Sequence, residues 1–277
     1  MLMKQNSVMI GMIEQRLGQL IARDGLLADA IRYALLGPGK RIRPLLTLAS
    51  AETFGVNPKE ALDAACAIEM VHTFSLIHDD LPCMDDDDFR RGRKAVHRAF
   101  PEPIALLAGD SLLSEAFLVL ARSSISDRAK VLLIETLGQR AGKDGMAGGQ
   151  ALDMHPEGSS LENLLDMQQK KTGDLLSCSL EFGPILAGVE DEWQPKMRLI
   201  GQLLGLAYQI RDDLEDASQM SDEKKPTAFT LLGEQGATEL LEEYLGQIET
   251  GLSQLPSRAP AISLLINSLF SRFSARL

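Results

Sequence analysis

Apolar positions along the chain recur at three- and four-residue spacing, and runs that alternate every second residue are absent. Leu, Ala, Met, Gln and Glu fill most of the periodic segments, and these residues favour helix. The pattern predicts helices over 3–22, 43–55, 58–81, 100–121, 127–142, 160–186, 192–216, 236–253 and 259–275. Turn signals separate them: "GPGK" (37–40), "GVNP" (55–58), "FPEP" (100–103), "HPEGSS" (155–160) and "LPSRAP" (255–260). Two segments, "ALDAACAIEMVHTFSLI" (61–77) and "MRLIGQLLGLAYQI" (197–210), are nearly apolar around their circumference. Such helices belong inside a bundle. With no long linker and no fixed-period repeat, the expectation is a single all-α domain over 1–277. Each central helix runs directly into aspartates.

Composition narrows the function classes. The 277 residues are 45% apolar, enough for a substantial core, and the formal net charge is −11. That charge disfavours nucleic acid and anionic membranes as partners. An anionic substrate would need local basic groups or bound cations. Cys66, Cys83 and Cys178 are odd in number and far apart, which points to reduced thiols in a cytoplasmic protein. The N-terminal stretch lacks a signal-peptide pattern, and "LIGQLLGLAYQI" (199–210) is too short to cross a bilayer. No integral membrane association is expected.

The candidate chemistry lies in two acidic clusters. In "RDDLED" (211–216), Asp212 and Asp216 lie one helical turn apart, with Asp213 and Glu215 flanking. Like charges at that spacing destabilise a helix, and a divalent cation reverses the sign; aspartate oxygens suit Mg²⁺. The first cluster, "HDDLPCMDDDDFRRGR" (78–93), holds six aspartates within ten positions. A solvated loop can hold such a run, and so can a site for metal ions and a charged anion. Asp79 and Asp85 are six residues apart and would not share a helix face. Pro82 forces a break, so the helix should be interrupted at 81–84, returning Asp85 beside Asp79. His72 lies two turns before Asp79 on nearly the same face; a satisfied core histidine is the plainer reading.

Basic groups accompany the clusters. Arg90, Arg91 and Arg93 follow the first, and arginine binds phosphate in a bidentate way or simply neutralises neighbouring carboxylates. "GPGKRIRP" (37–44) places Lys40 and Arg43 at a helix start, which favours anions. "KKTGDLL" (170–176) and "KKPTAF" (224–229) add two more basic sites. Four basic and two acidic sites suggest two anions, one bound through metal.

These motifs together resemble the short-chain trans-prenyl diphosphate synthases, nearest the bacterial farnesyl diphosphate synthase (geranyltranstransferase) type. The resemblance runs from "GKRIRP" through "VHTFSLIHDDLPCMDDDDFRRGR", "GGQALDM" and "KKTGDLL" to "YQIRDDLED". It implies an isoprenoid-synthase-type helical bundle with a central cleft, three Mg²⁺ ions per active site and a homodimer. It implies condensation of isopentenyl diphosphate with dimethylallyl or geranyl diphosphate to farnesyl diphosphate. Carried over by position, Asp79, Asp85 and Asp212 would hold Mg²⁺ on the allylic diphosphate, with Asp80, Asp213 and Asp216 in support. Arg90, Lys171 and Lys225 would contact the allylic diphosphate. Lys40, Arg43, His72 and Arg91 would bind isopentenyl diphosphate. Thr172 and Gln209 would face the developing cation. Phe74, five residues before the first aspartate, would be the chain-length floor, with Ser75 beside it.

The loop "ASQMSDEKK" (217–225) departs from the family pattern: it is short and has no glycine, which bears on the allylic lysine set. The alternatives are a geranyl or geranylgeranyl diphosphate synthase and a non-catalytic diphosphate-binding subunit. A histidine–aspartate phosphohydrolase would need more histidine ligands and leaves "DDLED" unexplained. A terpene cyclase would not need Lys40, Arg43 and His72.

Overall fold

The computed structural model describes residues 2–21, 24–156, 158–216, 226–256 and 259–271. In order these form α1 (Leu2–Leu20), α2 (Leu26–Leu35), α3 (Ile42–Thr53), α4 (Leu62–Asp79), β1 (Phe89–Arg90), β2 (Arg93–Lys94), α5 (Val96–Ala99), α6 (Glu102–Arg122) and α7 (Asp127–Ala141). There follow α8 (Met146–Met154), α9 (Leu161–Gln168), one turn of π-helix (Gln169–Gly173), α10 (Asp174–Ala187), α11 (Glu190–Asp216), α12 (Ala228–Ser253) and α13 (Pro260–Leu269). The fold is all-α, apart from a hairpin of two residues per strand. The chain resolves into two compact units: residues 1–48 with 57–134, and residues 49–56 with 135–277.

In the first unit α4 packs along α6, and α1 and α2 flank the pair. Every residue from Ala64 to Val71 is buried, as expected of a helix apolar on all sides. The charged Glu69 among them is answered by Arg41, which donates to Glu69 Oε1 at 2.8 Å and to the carbonyls of Leu35 and Gly37. Helix α4 starts at Leu62 rather than 58, because Asn57 builds a turn. Its side chain accepts from Lys59 N–H and its carbonyl from Glu60 N–H. Helix α6 is long and apolar enough to cross a membrane by length and composition alone, but it packs against α4. Leu106, Leu107 and Leu118 remain exposed on it.

In the second unit α11 packs between α10 and α12. This is the place expected of the 197–210 segment, and α10 beside it is the more completely buried helix. Residues Asp174–Ile185 of α10 are buried without interruption, whereas α11 leaves Leu199 exposed. The hydrophobic pattern hid α10 because Asp174, Ser177, Ser179 and Glu181 interrupt it. Each hydroxyl finds a carbonyl: Ser177 donates to Arg198 and Ser179 to Leu175. Glu181 accepts from Arg140, Gln194 and Arg198 at 2.9–3.1 Å. Other boundaries also differ from the pattern. Helix α12 begins at Ala228, capped by Thr227 and Thr230, and Gly233 at φ 71° breaks it near the expected start. Helices α2 and α8 were not expected; α8 carries two glycines that lower its intrinsic propensity.

Candidate active site

The first acidic cluster is built by stopping a helix. Helix α4 ends at Asp79, and Asp85 N–H donates to the Asp79 carbonyl at 2.9 Å, while Asp86 N–H donates to that of Leu81. The expected break over 81–84 is therefore present, and it returns the Asp85 backbone to Asp79. The helix does not resume. The chain turns into the β1–β2 hairpin, whose loop residues Arg91 and Gly92 have φ of 53° and 75°. Both central residues of this two-residue loop are left-handed, as in a type I′ turn. Glycine adopts that conformation freely; for an arginine it costs about 1–2 kcal/mol. Strain of this kind is kept where a side chain is needed.

The six aspartates of this cluster fall into three pairs. Asp80 is 2% exposed and accepts from Arg90 Nε at 2.8 Å, and Asp87 accepts from Arg90 Nη2 at 2.8 Å. Burial pushes the Asp80 carboxyl up, and Arg90 opposes the shift. Asp86 and Asp88 pair with Arg98 at 3.2 and 2.6 Å. Asp79 and Asp85 are the two brought together by the turn. Asp80, read as supporting metal, is committed to holding Arg90.

A cationic group lies nearby in the same unit. Nη1 of Arg43 and Nη2 of Arg91 approach Nε2 of His72 at 3.3 and 3.4 Å. Burial, then the guanidiniums of Arg43 and Arg91, hold the His72 ring well below its ordinary pKa. His72 is therefore neutral, accepting at Nε2. Arg91 Nη1 also donates to the Pro38 carbonyl at 3.1 Å. The structure thus gathers Arg43, His72 and Arg91; Lys40 is exposed on the adjoining loop. Arg41 was missed from sequence. It is the buried residue of a "KRIR" run, and nothing in the run distinguishes it by type from Arg43. On α4, Ser75 donates to the His72 carbonyl, and the Phe74 ring meets His78 edge-on at 5.3 Å.

The second unit keeps its helices and spaces them closely. The π-turn holds Lys171 and Thr172; such insertions in a helix commonly accompany functional sites. The expected helix over 160–186 is therefore two helices joined by that turn. Lys171 Nζ donates to Asp153 of α8 at 2.7 Å. A Cβ on Gly149 would lie 2.2 Å from the Lys171 backbone nitrogen, and one on Gly205 would lie 2.3 Å from Gly173 Cα. The two glycines let α8 and α11 approach the turn at backbone contact. One helical turn beyond Gly205 comes Gln209, which is partly buried, and then the acidic cluster. Asp153 in "GGQALDM" carries no sequence signal of its own, and its lysine partner is what marks it.

Within α11, Asp212 pairs with Arg211, whose guanidinium also donates to the Leu269 carbonyl and stacks on Tyr208. Asp213 turns the other way and accepts from Ala228 N–H at 2.8 Å, satisfying the first turn of α12. Burial raises both carboxyls above the usual range, with Arg211 opposing the shift at Asp212 and the Ala228 amide at Asp213. Asp216 is exposed one turn on. Lys225, Lys224 and the loop 217–225 lie outside the described residues, as do Arg272 and Arg276. The donor set is hard oxygen on short side chains, in pairs. Oxygen donors of this kind suit Mg²⁺ when it keeps waters and takes its remaining oxygens from phosphate, and among the described residues no three such groups converge by themselves.

The description "Polyprenyl synthetase" matches residues 24–235. The chain belongs to the polyprenyl synthetase family. It is 39% identical over 237 residues to the farnesyl diphosphate synthase of Bacillus subtilis, covering 79% of each chain. It is 37% identical over 261 residues to a chloroplastic geranylgeranyl pyrophosphate synthase of Catharanthus roseus, covering 88% of this chain and 73% of that one. Among solved structures, an apo FPP/GFPP synthase of Zymomonas mobilis superimposes with a TM-score of 0.87 at 36% identity, covering 96% of this chain and 99% of that one. As a polyprenyl synthetase the chain is a prenyltransferase that elongates prenyl diphosphates, its substrates are isopentenyl diphosphate and an allylic diphosphate, and the family generally depends on Mg²⁺. The relatives divide between products, so the general resemblance read from the motifs holds and the farnesyl assignment does not follow from them.

Proposed function

We propose that this polyprenyl synthetase makes the C15 product, farnesyl diphosphate, from isopentenyl diphosphate and dimethylallyl or geranyl diphosphate. The observation that carries the chain length is Phe74, a bulky ring set against His78 at 5.3 Å five residues before Asp79. A C20 product is the second reading, supported by the 37% identity to a geranylgeranyl pyrophosphate synthase.

Asp79, Asp85, Asp212 and Asp216 would hold Mg²⁺, which when bound neutralises negative charge on the departing diphosphate. Asp80 and Asp213 support from behind, through Arg90 and through α12. Arg90, Lys171 and Lys225 bind the allylic diphosphate and stabilise the leaving charge. Lys40, Arg43, His72 and Arg91 bind isopentenyl diphosphate; an anion there draws the Arg43 and Arg91 guanidiniums onto its oxygens. The oxygen atoms of Thr172 and Gln209 turn their negative ends towards the developing cation. The double bond of isopentenyl diphosphate attacks the allylic carbon, and the proton lost from it passes to the released diphosphate. A water-poor site protects the cation from hydrolysis. A homodimer is supported by the exposed leucines of α6, and a cytoplasmic location by three free cysteines.

The test is product chromatography after incubation with Mg²⁺, isopentenyl diphosphate and each allylic primer. Farnesyl diphosphate should accumulate, and Phe74→Ala should shift the product to C20 or longer. No condensation with either primer overturns the reading, and an unchanged product from Phe74→Ala removes the floor role.

A further inference from the structure

Arg90 and Arg91 sit on a hairpin in which Phe89 pairs with Lys94 and Arg90 with Arg93. Two residues per strand do not hold a ribbon in place by themselves. Arg90 has anchors of its own in Asp80 and Asp87. Arg91 is at the tip of the turn, where its side chain donates to the Pro38 carbonyl, and its reach depends on where the whole hairpin lies.

Helix α2 supplies the anchor. The Tyr33 phenol donates to the Lys94 carbonyl at 2.9 Å. The Arg93 guanidinium stacks 3.9 Å from the centroid of the Tyr33 ring, and its Nη1 donates to the Tyr33 carbonyl at 3.3 Å. Phe100 meets that ring edge-on at 5.5 Å. Tyr33 also lines a cavity of about 50 Å³ together with Thr73, Asp80, Arg90 and Arg91. One aromatic side chain thus fixes the second strand of the hairpin by hydrogen bond, by cation–π stacking and by packing.

We infer that Tyr33, with Arg93 stacked on it, is a positioning residue that sets the hairpin so that Arg91 reaches His72 and Arg43. The inference rests on the prenyl-transfer reading above. Tyr33 acts through the hairpin backbone. Loosening the hairpin leaves Arg91 in the binding arrangement for a smaller fraction of the time, and apparent affinity falls by that fraction. The effect should fall on isopentenyl diphosphate, the substrate assigned to Arg91. The allylic substrate, assigned to Arg90, should be less affected.

The experiment is steady-state kinetics of the full chain with Mg²⁺ for wild type, Tyr33→Phe, Arg91→Lys and the double variant, with thermal melts of each. Tyr33→Phe keeps the ring and its stacking, and so keeps the fold. It should raise KM for isopentenyl diphosphate about 3–10-fold, the worth of one hydrogen bond, with kcat and the allylic KM within about twofold. In the Arg91→Lys background the same substitution should add little, because the group it positions has been replaced. An equal rise in both backgrounds, or no rise in KM, overturns the positioning role while the functional reading stands. Absence of condensation by the wild-type protein overturns the functional reading and this inference with it.

Discussion

The two acidic regions reach a similar donor set by opposite local means. Around Asp79 the helix is stopped, the chain doubles back, and the extra carboxylates are answered by Arg90 and Arg98 within the same short segment. Around Asp212 the helix runs on to Asp216, and its position is set by backbone contact between Gly205 and Gly173. The first region places its donors by a turn closed through backbone hydrogen bonds. The second places them by helix packing that is sensitive to a single methyl group. Charge is handled differently as well: Asp212 pairs directly with a buried arginine, whereas the Asp79 carbonyl holds the turn and its carboxylate acts on Arg90.

The largest effects should come from removing one charge in each region. Asp79→Asn and Asp212→Asn should each lower kcat about 10²–10³-fold, the scale of losing one preorganised charge-stabilising group. Their stabilities should differ. Asp79→Asn leaves the carbonyl that holds the turn but removes a charge that Arg90 feels, so it should melt lower by less than about 1 kcal/mol. Asp212→Asn leaves the buried Arg211 without its carboxylate and should melt lower by about 1–3 kcal/mol. Kinetics at saturating Mg²⁺ together with thermal melts check this. Equal melting losses in both variants would erase the distinction between turn-held and helix-held donors.

A smaller effect tests the scaffold of the second region. Burial, with Glu181 adding to it, pushes the Asp174 carboxyl up to about 6 against the opposition of Arg140, Arg198 and Lys170. A raised carboxyl binds its proton more readily in the folded state. Stability is therefore greatest when Asp174 is protonated and falls as pH rises from about 4 to 6. The shift from 3.8 to about 6 sets a ceiling of about 3 kcal/mol on this loss. Asp174→Asn should accordingly be more stable than wild type at pH 8, by about 1–3 kcal/mol, with the gap closing towards pH 4. Denaturant unfolding at the two pH values measures it. A constant gap would mean that folding does not change the proton affinity of Asp174, and a less stable variant at pH 8 would mean that the Arg140–Asp174 pair is a net contributor.

The same contrast governs what could be read from the sequence. The break at Pro82 and the return of Asp85 followed from proline chemistry and helix geometry, which act within a few residues. The spacing of Asp212 and Asp216 followed equally from helix geometry. What was hidden depends on distant neighbours. The π-turn at Gln169–Gly173 needs α8 and α11 pressed against it, and nothing in "QKKTG" announces that. The burial of α10 needs Arg140, Gln194 and Arg198 to satisfy Glu181. Asp213 reads as part of an acidic motif, yet it satisfies a helix start fifteen residues later. Local grammar is legible; charge and spacing settled across the chain are not.

The smallest expected effect concerns the carboxylates that most attract attention in the sequence. Asp86 and Asp88 lie in a run of four, but both pair with Arg98 at a solvent-exposed surface. Such pairs contribute about 0–1 kcal/mol and weaken further with salt. The double substitution Asp86→Asn with Asp88→Asn should leave kcat and both KM values near wild type, and should lower stability by less than about 1 kcal/mol at low salt. At 1 M salt the difference should shrink further, because the Debye length falls to about 3 Å. A drop in kcat comparable to that of Asp79→Asn would place these two among the metal-binding carboxylates. The first region would then distribute its donors along the loop instead of concentrating them at the turn.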